Sequence, residues 1–227
     1  MNRREFLKRS SLFLSGALFI GTGVLNTKVY ATTAGHVHFS IDVVTDNPAF
    51  AIQHIDRLIK SSFLKGHRID FTQYQLSGHH VGDIVFVKEG QLIDFYKKDD
   101  RFSNRLRKTA EMLSLPKEFE NPTLLRFFSA VRGQTAQKIN IFSGDVLIHQ
   151  IPVKNNITTY RATGEKGYID VAVKNGSVKI VSASCNHKTC MELGAVNRPG
   201  QSLVCIPNRL RVVIEGGNES TVDGITF

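Results

Sequence analysis

Several common functional signatures are missing from this chain of 227 residues. The sequence contains no HExxH metalloprotease motif, no Walker-type or other glycine-rich phosphate loop, and no serine in a nucleophile elbow. It also contains no tryptophan, no low-complexity segment and no internal repeat. No catalytic machinery is therefore visible in the sequence, and we expect neither enzymatic activity nor a bound cofactor.

A strong excess of charge is also missing. The formal net charge is +9, but the first 31 residues hold five Lys or Arg and one Glu, so the remainder keeps +5. This mild excess lacks the dense basic patch of a nucleic-acid-binding protein, and we expect no nucleic-acid partner. It suits an anionic membrane surface or an acidic partner.

The N-terminus begins with basic residues, and an apolar stretch over residues 12–25 follows. This stretch is too short and too rich in glycine to read as a membrane span. The segment "NRREFLK" resembles the twin-arginine export signal, and the residues that match are Arg3, Arg4, Phe6, Leu7 and Lys8.

The resemblance implies that the twin-arginine translocase exports the folded protein to the periplasm or to the outer face of the cytoplasmic membrane. Small or β-branched residues at Val29 and Ala31 predict cleavage of a signal peptide after Ala31, so residues 1–31 are excluded from the fold. Two alternatives stay open: an ordinary secretory signal, and a signal that remains attached as an anchor.

Residues 36–135 mix strand and helix patterns. Strands are predicted at 36–44 and 67–76, with a helix between them that Asn47 caps and Pro48 begins. A hairpin turning at Glu89 and Gly90, a helix over 101–115 and short helical turns over 116–131 around Pro122 follow. The pattern predicts a small α+β domain, whose function the sequence does not indicate.

Residues 137–227 are strongly β. Asn175-Gly176 stands between two alternating runs, and this dipeptide is a strong hairpin signal because both residues accept positive φ. The spacing of the runs predicts an all-β module, either a sandwich or a half-barrel. A module of this size buries little surface and often needs a disulfide bond or a bound metal ion for stability.

The segment from "VKNGSVKIVSASC" to "CIPNRLRVVIEGG" resembles the NusG domain II family. The features that carry the resemblance are the hairpin ending at Cys185, the second cysteine Cys190, Gly194, the turn "RPGQ" and Cys205 in "CIPNRL". The resemblance implies a β module and no particular reaction. It does not extend to residues 36–135.

Three cysteines, Cys185, Cys190 and Cys205, form the candidate site. In an oxidising compartment two of them are expected to form a disulfide that ties the loop to the sheet. A metal site is the second interpretation, with His187 or a water molecule as the fourth ligand. A Rieske cluster would need a second histidine where Asn208 stands. A redox-active pair is the third, although the spacing is Cys-x4-Cys rather than Cys-x-x-Cys.

These observations predict an exported, non-enzymatic binding or accessory protein at the outer face of the cytoplasmic membrane, associated with an electron-transfer system. A membrane protein or a redox protein would be its partner. The alternative is a small redox or metal-binding protein that uses the three cysteines.

Overall fold

The computed structural model describes residues 26–28, 37–129, 135–153 and 157–216. The chain divides into two compact units, Met1–Ala130 and Val131–Phe227. We call them the N-terminal unit and the C-terminal unit. The described residues are mostly β and form several antiparallel sheets, which confirms the β character predicted from the sequence.

A six-stranded antiparallel sheet organises the N-terminal unit, in the order β1-β3-β8-β2-β5-β6. Its strands are β1 (Asn26–Lys28), β2 (Phe39–Thr45), β3 (Ile69–Gln75), β5 (Ile84–Lys88), β6 (Gln91–Leu92) and β8 (Thr123–Ser129). A separate pair is formed by β4 (His79–Gly82) and β7 (Lys117–Glu120). The backbone of β1 pairs with β3, although these residues belong to the predicted signal.

Two helices accompany this sheet, α1 (Pro48–Lys60) and α2 (Arg101–Met112). The predicted cap of α1 is confirmed, because the Asn47 side chain accepts a hydrogen bond from the Phe50 N–H at 3.3 Å. Asp100 caps α2 by accepting from the N–H groups of Phe102 and Ser103, both at 2.9 Å. Such caps satisfy backbone donors that a helix leaves without an internal partner.

The core of the N-terminal unit joins both helices to one face of the sheet. It contains apolar residues of β2, α1 and α2, among them Ile41, Val43, Ile55 and Leu106, all fully buried. Two charged side chains also lie inside the sheet, where Arg126 Nε donates to Asp42 Oδ1 at 3.0 Å. No helix among the described residues has the length and apolar character needed to cross a bilayer.

The helical turns predicted over 116–131 are wrong, because this segment forms β7 and β8. Every residue of β8 is buried, and the strand pairs with β3 on one side and with β2 on the other. A strand buried on both faces reads as a continuous apolar run, so periodicity alone does not distinguish it from a buried helix.

The C-terminal unit is built from seven strands and one helical turn among its described residues. The four-stranded sheet has the order β10-β9-β15-β14 and consists of β9 (Ala136–Ser143), β10 (Val146–Pro152), β14 (Ser202–Cys205) and β15 (Leu210–Gly216). The three-stranded sheet has the order β11-β12-β13 and consists of β11 (Thr158–Gly164), β12 (Gly167–Lys174) and β13 (Ser177–Ala183). The helical turn is α3 (Thr189–Glu192).

The hairpin turn predicted at Asn175-Gly176 is present in this unit. Asn175 and Gly176 join β12 to β13 with φ of 50° and 74°, so both adopt the left-handed conformation that the dipeptide predicts. The core is aliphatic, and Ile139, Ile141 and Ile169 are fully buried. The cysteine segment follows β13 directly and is thereby held against this core.

Candidate thiol centre

Three separate segments of the C-terminal unit supply the cysteines. Cys185 follows β13, Cys190 lies within α3, and Cys205 is the last residue of β14, where it pairs with Leu210 of β15. All three are free and buried, with 7%, 4% and 1% of their surfaces exposed in that order. The fold thus collects into one buried place the residues that the sequence separates by up to twenty positions.

The three sulfur atoms are close to one another. Sγ of Cys185 lies 3.8 Å from Sγ of Cys190, and all three Sγ atoms lie within 4.8 Å of each other. A disulfide bond is only about 2.05 Å long, so the structure contains three thiols, and the disulfide stays a prediction. His187, the predicted fourth metal ligand, is not a member of this group among the described residues.

The loop between the first two cysteines is shaped by its backbone. Lys188 has a φ of 50°, in the left-handed region, and Met191 N–H donates to the Lys188 carbonyl at 2.8 Å. This reversal lets α3 begin directly after Lys188, which turns Cys190 back towards Cys185. The backbone N–H of Lys188 also donates to the Cys185 sulfur.

The turn after Cys205 is fixed by Asn208, which is only 2% exposed. Its side-chain amide donates to the Tyr168 carbonyl at 2.9 Å and to Ser184 Oγ at 3.2 Å. Tyr168 is the second residue of β12 and Ser184 directly precedes Cys185, so the Asn208 side chain ties the turn after Cys205 to the segment that holds Cys185. Asn208 is therefore the positioning residue of the thiol centre.

Glycine is required where the β11–β12 turn approaches Asn208. A Cβ at Gly167 would lie 2.6 Å from Asn208 Oδ1, and its φ of +155° is strained for other residues. A Cβ at Gly164 would lie 2.9 Å from Cγ of Leu210 and would overlap the Asn208 carbonyl oxygen. Both contacts are closer than real Cβ atoms show, so these two glycines leave room for the turn that follows Cys205 and contains Asn208.

The environments of the three thiols differ. A hydrogen bond with Cys190, supported by the backbone and side chain of Asn208, lowers the pKa of Cys205 to about 6. The same hydrogen bond with Cys205, followed by burial, raises the pKa of Cys190. Burial is the largest cause of the raised pKa of Cys185. The shared hydrogen bond thus favours the protonated form of Cys190 and the ionised form of Cys205.

The other predicted functional residues belong to the export signal. Arg3, Arg4, Phe6, Leu7 and Lys8, together with the cleavage position after Ala31, lie outside the described residues. Sequence reasoning named Asn208 only as a position that lacks a histidine and missed its role in holding the turn. The usable signal was an asparagine after proline at the end of a strand, where its side chain often bonds to nearby backbone.

The comparisons with known proteins concern the C-terminal part. Residues 121–218 match the NusG domain II family model, which confirms the resemblance stated above; the match covers fewer than half of the residues and begins in the segment just before β8. No curated protein matches the chain.

Several solved structures resemble a part of the chain. The Lin0431 protein from Listeria innocua is 17% identical, with a TM-score of 0.34, and the match covers 37% of this chain and 99% of that one. A DUF1312 family protein from Enterococcus faecalis is 18% identical, with a TM-score of 0.34 and coverage of 36% and 98%. Another, from Ruminococcus gnavus, is 21% identical, with a TM-score of 0.31 and coverage of 35% and 99%.

Proposed function

We propose that this protein is an exported, non-enzymatic accessory protein at the outer face of the cytoplasmic membrane, and that its Cys185–Cys190 pair alternates between dithiol and disulfide. The observation that carries the proposal is the 3.8 Å separation of the two sulfur atoms within one buried cluster. Disulfide formation requires the two sulfur atoms to close from 3.8 Å to about 2.05 Å.

Export is supported by the "NRREFLK" segment. The proposal includes a twin-arginine signal, passage through the twin-arginine translocase, and residence in the periplasm or at the membrane surface. It also takes residues 36–135 as an α+β domain and residues 137–227 as a sandwich or half-barrel. In an oxidising compartment, a pair of neighbouring thiols is expected to oxidise.

The chemistry of the pair is thiol–disulfide exchange. The Cys185 and Cys190 thiols give two electrons and two protons to a disulfide of the partner, which becomes two thiols, and the bond between Cys185 and Cys190 forms. The reverse reaction regenerates the dithiol. A redox protein at the membrane, part of an electron-transfer system, is the partner class that this exchange requires.

Cys185 is the entry point for the exchange. Cys185 is the most exposed of the three cysteines, at 7%, and it lies beside the exposed Asn186. Cys205 is only 1% exposed, so an incoming disulfide meets it last. The disulfide of the partner protein would therefore reach Cys185 before the other two cysteines.

The test is a redox titration of the full chain. The protein is equilibrated in thiol–disulfide buffers of known potential, alkylated and weighed by mass spectrometry. We expect one two-electron couple in the wild type and in Cys205→Ser. Cys185→Ser and Cys190→Ser are the matched variants, and each removes the couple or shifts its midpoint. Loss of the couple in Cys205→Ser, or a disulfide that is reduced only after unfolding, would contradict the proposal.

A further inference from the structure

The third thiol is the feature that a Cys185–Cys190 disulfide leaves unused. Cys205 is the most buried of the three, at 1% exposure, and its sulfur lies within 4.8 Å of both others. It also receives hydrogen bonds from the backbone and the side chain of Asn208. A disulfide between the other two cysteines requires neither the position of Cys205 nor its hydrogen bonds with Asn208. These features therefore indicate a second function for Cys205.

We propose that, in the dithiol state, Cys185, Cys190 and Cys205 together bind one soft, thiophilic d¹⁰ metal ion, Zn²⁺ or Cu⁺. The inference rests on the proposed function at one point only, because the pair must be able to exist in the reduced form. Both ions favour thiolate ligands, which distinguishes this site from the oxygen-rich sites of Mg²⁺ and Ca²⁺.

The spacing of the sulfur atoms fits such an ion. A zinc–sulfur bond is about 2.3 Å long, so two thiolates of a tetrahedral site lie roughly 3.8 Å apart. Cys185 and Cys190 already show a separation of 3.8 Å. The largest separation in the group is within 4.8 Å, and a small rotation about χ1 closes that difference.

The donors come from three segments that the fold has already tied together. Cys205 ends β14, Cys190 lies in α3, and Cys185 follows β13. Asn208 joins the first of these segments to the last through its bond to Ser184 Oγ. A site with ligands held in this way loses little conformational entropy when the ion binds.

Metal binding and the disulfide exclude each other. Formation of the Cys185–Cys190 bond removes two of the three ligands, because a sulfur atom in a disulfide is no longer a thiolate. Oxidation by a disulfide of the partner therefore releases the ion, and reduction restores the site. The same three residues thus couple the redox state of the protein to its metal content.

The experiment uses the full chain, reduced in the absence of oxygen, and titrates Zn²⁺ or Cu⁺ against a chromophoric chelator of known affinity. We expect one ion per chain for the wild type, and at least about 100-fold weaker binding for Cys205→Ser, because removal of outer-shell partners alone costs 10–100-fold. Competition with the chelator gives the affinity of the site for each ion. Treatment with an oxidised dithiol should release it.

Cys205→Ser separates this proposal from the proposed function, because it should lose the ion and keep the Cys185–Cys190 redox couple. Circular dichroism reports whether the variant has folded, and Cys205→Ala provides a second test if it has not. His187→Ala is the control variant and should bind the ion as the wild type does. Three results would overturn the inference: no ion in the reduced wild type, undiminished binding in Cys205→Ser, or binding that requires His187.

Discussion

The two units bury polar groups of different kinds. The N-terminal unit places a charged pair in its central strands, Asp42 and Arg126, with side chains 6% and 5% exposed. The C-terminal unit places three thiols at a similar depth. A buried charge is costly without its partner, whereas a thiol behaves as a small apolar group until it ionises, is oxidised or binds a metal. The first arrangement places a pair of charges in the core, and the second places groups that can be oxidised or can bind a metal.

The largest effect should follow from breaking the charged pair. Asp42→Leu removes the carboxylate that accepts from the buried Arg126 Nε at 3.0 Å, and we expect a loss of about 3–5 kcal/mol in the free energy of unfolding. The double variant Asp42→Leu/Arg126→Met removes both charges and should recover most of that loss. Urea unfolding monitored by circular dichroism measures both. A double variant as unstable as the single one would show that the pair is not the cause.

A smaller effect is expected at the turn that admits the thiol centre. In Gly164→Ala the added Cβ overlaps the Asn208 carbonyl and presses on Leu210, which should cost about 1–3 kcal/mol. Gly144→Ala is the matched control, because its Cβ meets nothing within 4 Å and only its φ of +57° is strained. Thermal unfolding compares the two, and a Gly164→Ala variant that also alters the rate of Cys205 alkylation supports the coupling of turn and thiol.

The cap of α2 gives a pH-dependent prediction for the N-terminal unit. Asp100→Ala removes hydrogen bonds to two backbone N–H groups, and we expect a loss of about 1 kcal/mol. These bonds, above all the one from Ser103, lower the pKa of Asp100 below its ordinary value of 3.8. Its stabilisation is therefore present above that pH and is lost as the pH falls through the lowered pKa.

Unfolding curves at several pH values test this prediction. The difference between the wild type and Asp100→Ala should be constant near neutrality and should shrink in acid. Asp99→Ala, the neighbouring exposed carboxylate, should be the milder variant. A difference that does not change with pH would exclude an ionised cap.

The smallest change in stability is expected for an exposed ion pair of the C-terminal unit, which can be compared with the buried Asp42–Arg126 pair. Arg209 and Glu165 form an ion pair at 2.8 Å, with side chains 58% and 55% exposed. Solvent screens such a pair, and Glu165→Ala should change the free energy of unfolding by less than about 0.5 kcal/mol. A loss as large as that of Asp42→Leu would show that exposure does not distinguish the two pairs.

Local chemistry made parts of the fold predictable. Asn47 before Pro48 marked the start of α1, and Asn175-Gly176 marked the hairpin, because both signals act within a few residues. The sequence predicts helical turns where strand β8 lies, because the burial of β8 comes from β2 and β3, which are distant in sequence.

The thiol centre shows the same limit. The sequence identified all three cysteines, but the approach of Cys205 to the other two depends on Asn208, Gly164 and Gly167 meeting across separate strands. Contacts between separate strands arise from tertiary packing. The spacing of Cys185, Cys190 and Cys205 in the sequence therefore does not predict them.

The most direct measurement for the central claim is a disulfide map of the protein isolated after export, with free thiols alkylated before digestion. The account predicts peptides that link Cys185 to Cys190 and a Cys205 that carries the alkyl group. A link from Cys205 to either of the others, or three alkylated thiols in protein that contains no metal, would contradict it.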